Sequence, residues 1–193
     1  MDDLLPTPSQ TVGPYFHLGC TRRGSVGDLA GPRTPGERIR LIFRVLDGEG
    51  APIDDAMIEL WQADAGGSYY QREEDENGSQ PAAAEFRGFG RLGTGSDGIC
   101  IFNTIRPGRV AGEAECAPAP HINVSIFARG LLNRLTTRVY FAGDPANAHD
   151  PILALVPELR RGTLLACPCP EQPGDWHIEI RLCGERETVF FDV

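Results

Sequence analysis

Along residues 121–128 apolar and polar positions alternate with a strict two-residue period. Ile122, Val124, Ile126 and Ala128 fall on one face, and His121, Asn123, Ser125, Phe127 and Arg129 on the other. Such alternation predicts a strand with one buried face. The second face is fit for a metal site, for the remnant of one, or for an ordinary solvated surface. Similar runs predict strands over Glu37–Leu46, Ala56–Gln62, Phe86–Leu92, Ile99–Ile105, Leu135–Phe141, Trp176–Leu182 and Thr188–Val193. Turn residues punctuate them, as at Asp47-Gly48-Glu49-Gly50, Asp64-Ala65-Gly66-Gly67, Ser96-Asp97-Gly98 and Gly143-Asp144-Pro145. Asp150 followed by Pro151 reads as a cap with proline at the first helical position, so a short helix is expected over 150–156. Residues 159–166 fit another helical turn or a strand.

Seven or eight short strands with regular turns predict an all-β chain, a mostly antiparallel β-sandwich with one or two short helices. The sandwich domain is expected over residues 37–193. Residues 1–36 do not share its pattern. Pro6, Pro8 and Pro14 exclude a regular helix across them and predict extended chain. Val12, Tyr15, Phe16 and Leu18 would be wasted in solvent, so residues 1–36 read as an extended N-terminal arm laid over another surface.

Composition narrows the function classes. A chain of 193 residues can bury one sizeable core, and its 23 glycines and 16 prolines suit many turns. A formal net charge of −9 argues against nucleic acid or an anionic membrane as partner. It leaves open a small anionic substrate, which responds to local charge. No run reaches transmembrane length, and the first residues lack the basic start and apolar centre of a secretion signal, so a cytoplasmic protein with free thiols is expected. Cys167-Pro168-Cys169 lacks a second ligand pair and reads as a loop feature. His17, His121, His149 and His177 form no H-x-H or H-x₃-H pair, and the acidic run Glu73–Glu76 reads as a solvated loop.

Several separated motifs carry a resemblance. Thr7-Pro8-Ser9-Gln10-Thr11-Val12-Gly13-Pro14-Tyr15, Leu60-Trp61-Gln62-Ala63-Asp64-Ala65-Gly66-Gly67, Ile105-Arg106-Pro107-Gly108, Ala119-Pro120-His121-Ile122-Asn123, Phe127-Ala128-Arg129-Gly130 and Glu187-Thr188-Val189-Phe190-Phe191-Asp192 occur in the order found in the intradiol ring-cleavage dioxygenases. The chain resembles that family from its arm to its last residues. The resemblance implies the sandwich fold and a non-haem ferric ion held by two tyrosines and two histidines. Phenolates are hard anionic donors that suit Fe(III), and imidazoles complete the site. The implied positions are Tyr69, Val110, His121 and Asn123, so two of the four ligands are missing. An arginine implied just before the first histidine falls at Pro118. Tyr69 and His121 are therefore expected to be vestigial, with no metal and no catalytic residue in this chain.

What the resemblance then implies is a subunit of a heteromer. A homologous iron-binding beta subunit would carry the Fe(III), and this chain would complete its pocket in a higher alpha–beta oligomer. The substrate would be a small aromatic carboxylate with adjacent hydroxyls. By the same resemblance Thr11, Gly13 and Pro14 on the arm lie near the substrate ring, and Arg129 near its carboxylate. A strand rise of about 3.3 Å per residue puts His121 and Arg129 roughly 26 Å apart. Arg129 therefore cannot serve a site built on His121 of its own chain; it serves another chain's pocket or a surface ion pair. The alternative is a non-catalytic β-sandwich binding module that lost its ancestral metal site.

Overall fold

The computed structural model describes residues 7–13, 15–21, 26–69, 85–111 and 117–192. Pro14, the acidic run at 73–76 and Cys116 lie outside the described residues. Among these residues eight strands follow one another: β1 Arg38–Leu46, β2 Met57–Gln62, β3 Phe89–Gly93, β4 Ile99–Ile105, β5 His121–Phe127, β6 Leu135–Phe141, β7 Leu165–Pro168 and β8 Asp175–Arg181. They hydrogen-bond in the order β3-β2-β5-β6-β7-β8-β1-β4. The pairs β6–β7 and β1–β8 are parallel and the others antiparallel, so the expected mostly antiparallel all-β architecture holds.

The sheet bends so that its two halves share one core. Ile58 and Leu60 of β2, with Ile122, Val124 and Ile126 of β5, lie in the same buried cluster as Leu41, Phe43 and Val45 of β1, Phe102 of β4 and Ile178 of β8. Each fully buried side chain of this size contributes about 1.5–3 kcal/mol of transfer free energy. The alternation expected for β5 therefore has its physical cause: the even positions are the core. The Phe43 and Phe102 rings meet edge to face at 5.8 Å.

The helices are single turns. α1 spans Phe16–Cys20, α2 Pro151–Leu155 and α3 Glu158–Arg161. α2 starts as expected, with Asp150 accepting from the Ile152 and Leu153 amides. α1 corrects the expectation of an extended chain there. The three prolines all precede it, so nothing blocks a turn after Pro14. The Gly19 amide donates to the Tyr15 carbonyl, and the Phe16 ring packs 5.6 Å from Phe127.

Three further details differ from the pattern. β3 begins at Phe89, and Phe86 makes only an isolated bridge with Ala30. Residues 158–168 hold both a helical turn and a strand. Residues 188–192 form no strand and make only an isolated bridge, Phe191 to Thr136. The reason is geometric: β7 takes the edge of β6 at Tyr140 and Phe141, leaving the closing segment only its other end.

Candidate functional site

The odd positions of β5 lie on the outer face of the β3-β2-β5-β6 half. Register sets Trp61 beside both Phe89 and Asn123, and Asn123 beside Arg138; His121 stands beside Tyr140. This row of side chains is where the ligand positions should meet.

Two loops bring the tyrosine positions together, and two glycines make that possible. Gly67 has φ +82°, and a Cβ there would lie 1.8 Å from the Arg109 carbonyl oxygen. A Cβ on Gly108 would lie 2.3 Å from the Ala65 carbonyl oxygen. The Gly108 amide donates to the Asp64 carbonyl at 2.8 Å. Loop 64–69, carrying Tyr69, thus packs directly on loop 107–110, carrying Val110. Gln62 supports both from beneath: wholly buried, it donates to the carbonyls of Ala63 and Ile105 and accepts from Thr104 Oγ1.

The side chains at these positions are engaged within the chain. Asn123 Nδ2 donates to the Tyr69 hydroxyl at 3.2 Å. The Tyr69 ring stacks on Trp61 at 6.1 Å and 6°. His121 is 5% exposed, so of the three uses open to this face a solvated surface does not hold at its position. Its Nδ1 lies 2.8 Å from the Ala119 carbonyl. Burial pushes its pKa below the usual histidine range, opposed by the Ala119 carbonyl and assisted by the Arg138 charge. The Tyr140 hydroxyl donates to Asp150, and burial pushes its pKa upward. Asp150, fully buried, also accepts from the Ala119, Ile152 and Leu153 amides. Asp150, Arg138 and Gln62 were not foreseen as parts of this region. Only the cap at Asp150 had a local signal.

At the other end of the strand the arrangement differs. β5 stops at Phe127, so Arg129 sits in the following turn rather than on the strand. Its side chain is 63% exposed, and its Nε donates to Asp55. The Gly130 amide donates to Thr11 Oγ1 at 2.7 Å, tying the arm to the same turn. Gly13 is exposed on that arm. The structure thus brings Thr11 next to Arg129, while His121, Asn123 and Tyr69 gather at the opposite end.

A family profile described as Dioxygenase matches residues 11–182. The protocatechuate 3,4-dioxygenase alpha chain of Burkholderia cepacia is 42% identical over the full length of both chains. The chain belongs to the intradiol ring-cleavage dioxygenases. The protocatechuate 3,4-dioxygenase beta chain of the same organism is 39% identical over 68% of this chain and 56% of its own. Among solved structures, the dioxygenase domain of a carbohydrate-binding fusion protein from Streptomyces sp. SirexAA-E superposes with a TM-score of 0.63. It shares 28% identity and covers 95% of this chain and 99% of its own.

Intradiol dioxygenases use non-haem iron. The residues here do not fit it. Tyr69 and His121 offer one phenol and one imidazole, Val110 has no donor, and Asn123, whose Nδ2 donates to the Tyr69 hydroxyl, offers only a neutral, weak amide oxygen. Among the described residues no group of three or more His, Cys, Asp or Glu side chains is placed to hold a metal ion. No helix among them is long and apolar enough to cross a membrane.

Proposed function

We propose that this chain is the alpha chain of a heteromeric protocatechuate 3,4-dioxygenase. It binds no iron itself and completes the pocket of a homologous, iron-bearing beta chain. The reaction opens 3,4-dihydroxybenzoate between its hydroxyls with both atoms of dioxygen, giving 3-carboxy-cis,cis-muconate. The partner's ferric iron supplies the activation of ring and dioxygen. This chain's residues bind and orient: Arg129 receives the substrate carboxylate, and Thr11, Gly13 and Pro14 line the pocket near the ring. The reading treats residues 1–36 as the arm, residues 37–193 as the sandwich and the cytoplasm as the compartment. The free thiols at Cys20, Cys100, Cys167, Cys169 and Cys183 suit a reducing compartment.

One observation carries the reading. A single strand has its His121 end closed by burial and internal hydrogen bonds, while the turn after its other end offers an exposed guanidinium beside an arm. A guanidinium recognises a planar carboxylate through two parallel N–H bonds, and positioning of this kind contributes a large part of an enzyme's rate. Similarity to both alpha and beta chains supports a heteromer.

Co-expression with a beta chain tests it. A stable complex that consumes dioxygen with 3,4-dihydroxybenzoate, and a colourless, inactive isolated alpha chain, are expected. A lone monomer that forms no complex with any beta chain would favour the non-catalytic binding module instead.

A further inference from the structure

We propose that Asp55 is a positioning residue for the substrate carboxylate. It grips the Arg129 guanidinium by its Nε edge and leaves the two terminal nitrogens facing outward for two parallel bonds to a carboxylate. The inference rests on the reading of Arg129 given above and deepens it.

Everything beneath Arg129 is fixed. Ala128 is buried in the core, and the Leu131 amide closes the turn onto its carbonyl. Gly130 takes φ +89° and donates to Thr11. Phe127 is packed by Phe16 of the arm. Only the Arg129 side chain itself has freedom left, and its Nε donates to Asp55 Oδ2. Asp55 belongs to another part of the chain, the turn just before β2. Its side chain is 19% exposed, against 63% for Arg129. The carboxylate is thus the inner member of the pair and the guanidinium the outer one. Among the described residues the Arg129 Nη1 and Nη2 atoms make no hydrogen bond, whereas Arg38 and Arg106 use a terminal nitrogen within the chain.

The consequence is selectivity by geometry more than by charge. Asp55 offsets the long-range pull of Arg129 on anions in general. In return it holds a flexible side chain in one orientation, so less rotamer freedom is lost when a ligand docks. A planar carboxylate placed end-on gains from this; a catechol without a carboxylate gains nothing.

The test uses the co-expressed alpha–beta complex with Asp55→Ala, Asp55→Asn, Arg129→Ala and the double variant. Steady-state KM and kcat are measured for 3,4-dihydroxybenzoate and for unsubstituted catechol. Asp55→Ala is expected to raise KM for the carboxylated substrate about five- to tenfold, as loss of an orienting charge-assisted bond would. It should leave kcat and the catechol KM unchanged. Asp55→Asn, whose amide oxygen still accepts from Nε, should stay within about threefold of wild type. Adding Asp55→Ala to Arg129→Ala should change nothing further. Asp55→Ser replaces Asp55→Ala if that complex does not assemble. Equal effects on both substrates, or a lower KM for the carboxylated one, would overturn the role of Asp55. If Arg129→Ala removes the preference for the carboxylate and Asp55→Ala does not, Asp55 alone is misassigned. If Arg129→Ala leaves that preference intact, the reading of Arg129 fails and the positioning role with it.

Discussion

At the His121 end of β5 each polar side chain is turned against its own chain: Asn123 donates to Tyr69, His121 meets the Ala119 carbonyl, and Tyr140 donates to buried Asp150. Past the other end, beyond Phe127, a guanidinium stands mostly in solvent with an arm residue hydrogen-bonded next to it. On the function proposed above, the difference teaches how one fold divides a task. On that reading the loss of two metal ligands leaves no hole; the remaining donors find partners within the chain, because a buried polar group without one is costly. The exposed end carries no such constraint, and on the same reading it serves recognition. The first end should therefore respond to mutation in stability and the second in substrate affinity.

The largest expected effect is at the closed end. Asp150→Ala removes the acceptor for three amides and the Tyr140 hydroxyl in a fully buried place. A loss of about 3–4 kcal/mol in urea unfolding is expected, and an unchanged midpoint would show that the network is idle.

Arg129→Ala comes next and should invert the pattern. KM for 3,4-dihydroxybenzoate in the complex should rise about 10- to 100-fold, the worth of a bidentate charged contact. Thermal stability should hardly move, since an exposed ion pair contributes about 0–1 kcal/mol. A destabilised complex with normal KM would erase the distinction between the two ends.

Thr11→Val deletes the acceptor of the Gly130 amide. The arm should dock more weakly by about 1 kcal/mol, read as faster proteolysis of residues 1–20 and a few-fold rise in KM.

The smallest effect is a pH dependence. His121 has a folded pKa below its unfolded value, near the usual 6.5, because burial disfavours the charged ring. The unfolded chain then binds the proton first as pH falls. Its contribution to stability is intact above about 6.5 and is lost as pH falls from there to the folded value. His121→Gln should flatten that acid-side decline in an unfolding series from pH 7.5 to 5; an identical slope in the variant would mean the ring is not buried neutral.

Much of this was legible locally. The period of β5, the Asp150-Pro151 helix start and the turn at Asp47 each carry their own signal, and the structure follows them. That Val110 and Asn123 stand where the family has iron ligands is what the resemblance of the motifs implies. What stayed hidden depends on distant parts of the chain. Asp55 and Arg129 are 74 positions apart, and Gln62 and Thr104 are 42 apart. No local pattern marks such pairs. Nor does alternation reveal that His121 is covered: the outer face of β5 is polar in sequence, yet the Tyr140 ring lies 5.9 Å from the imidazole. The residues at 188–192 look like a strand because they are apolar and β-branched, but only one end of β6 was free to receive them.

The most direct test of the division between the two ends is the iron content and visible spectrum of the purified alpha–beta complex. One iron per pair is expected, with a tyrosinate-to-iron band that Tyr69→Phe in this chain leaves unchanged. Two irons per pair, or a band that Tyr69→Phe removes, would contradict it.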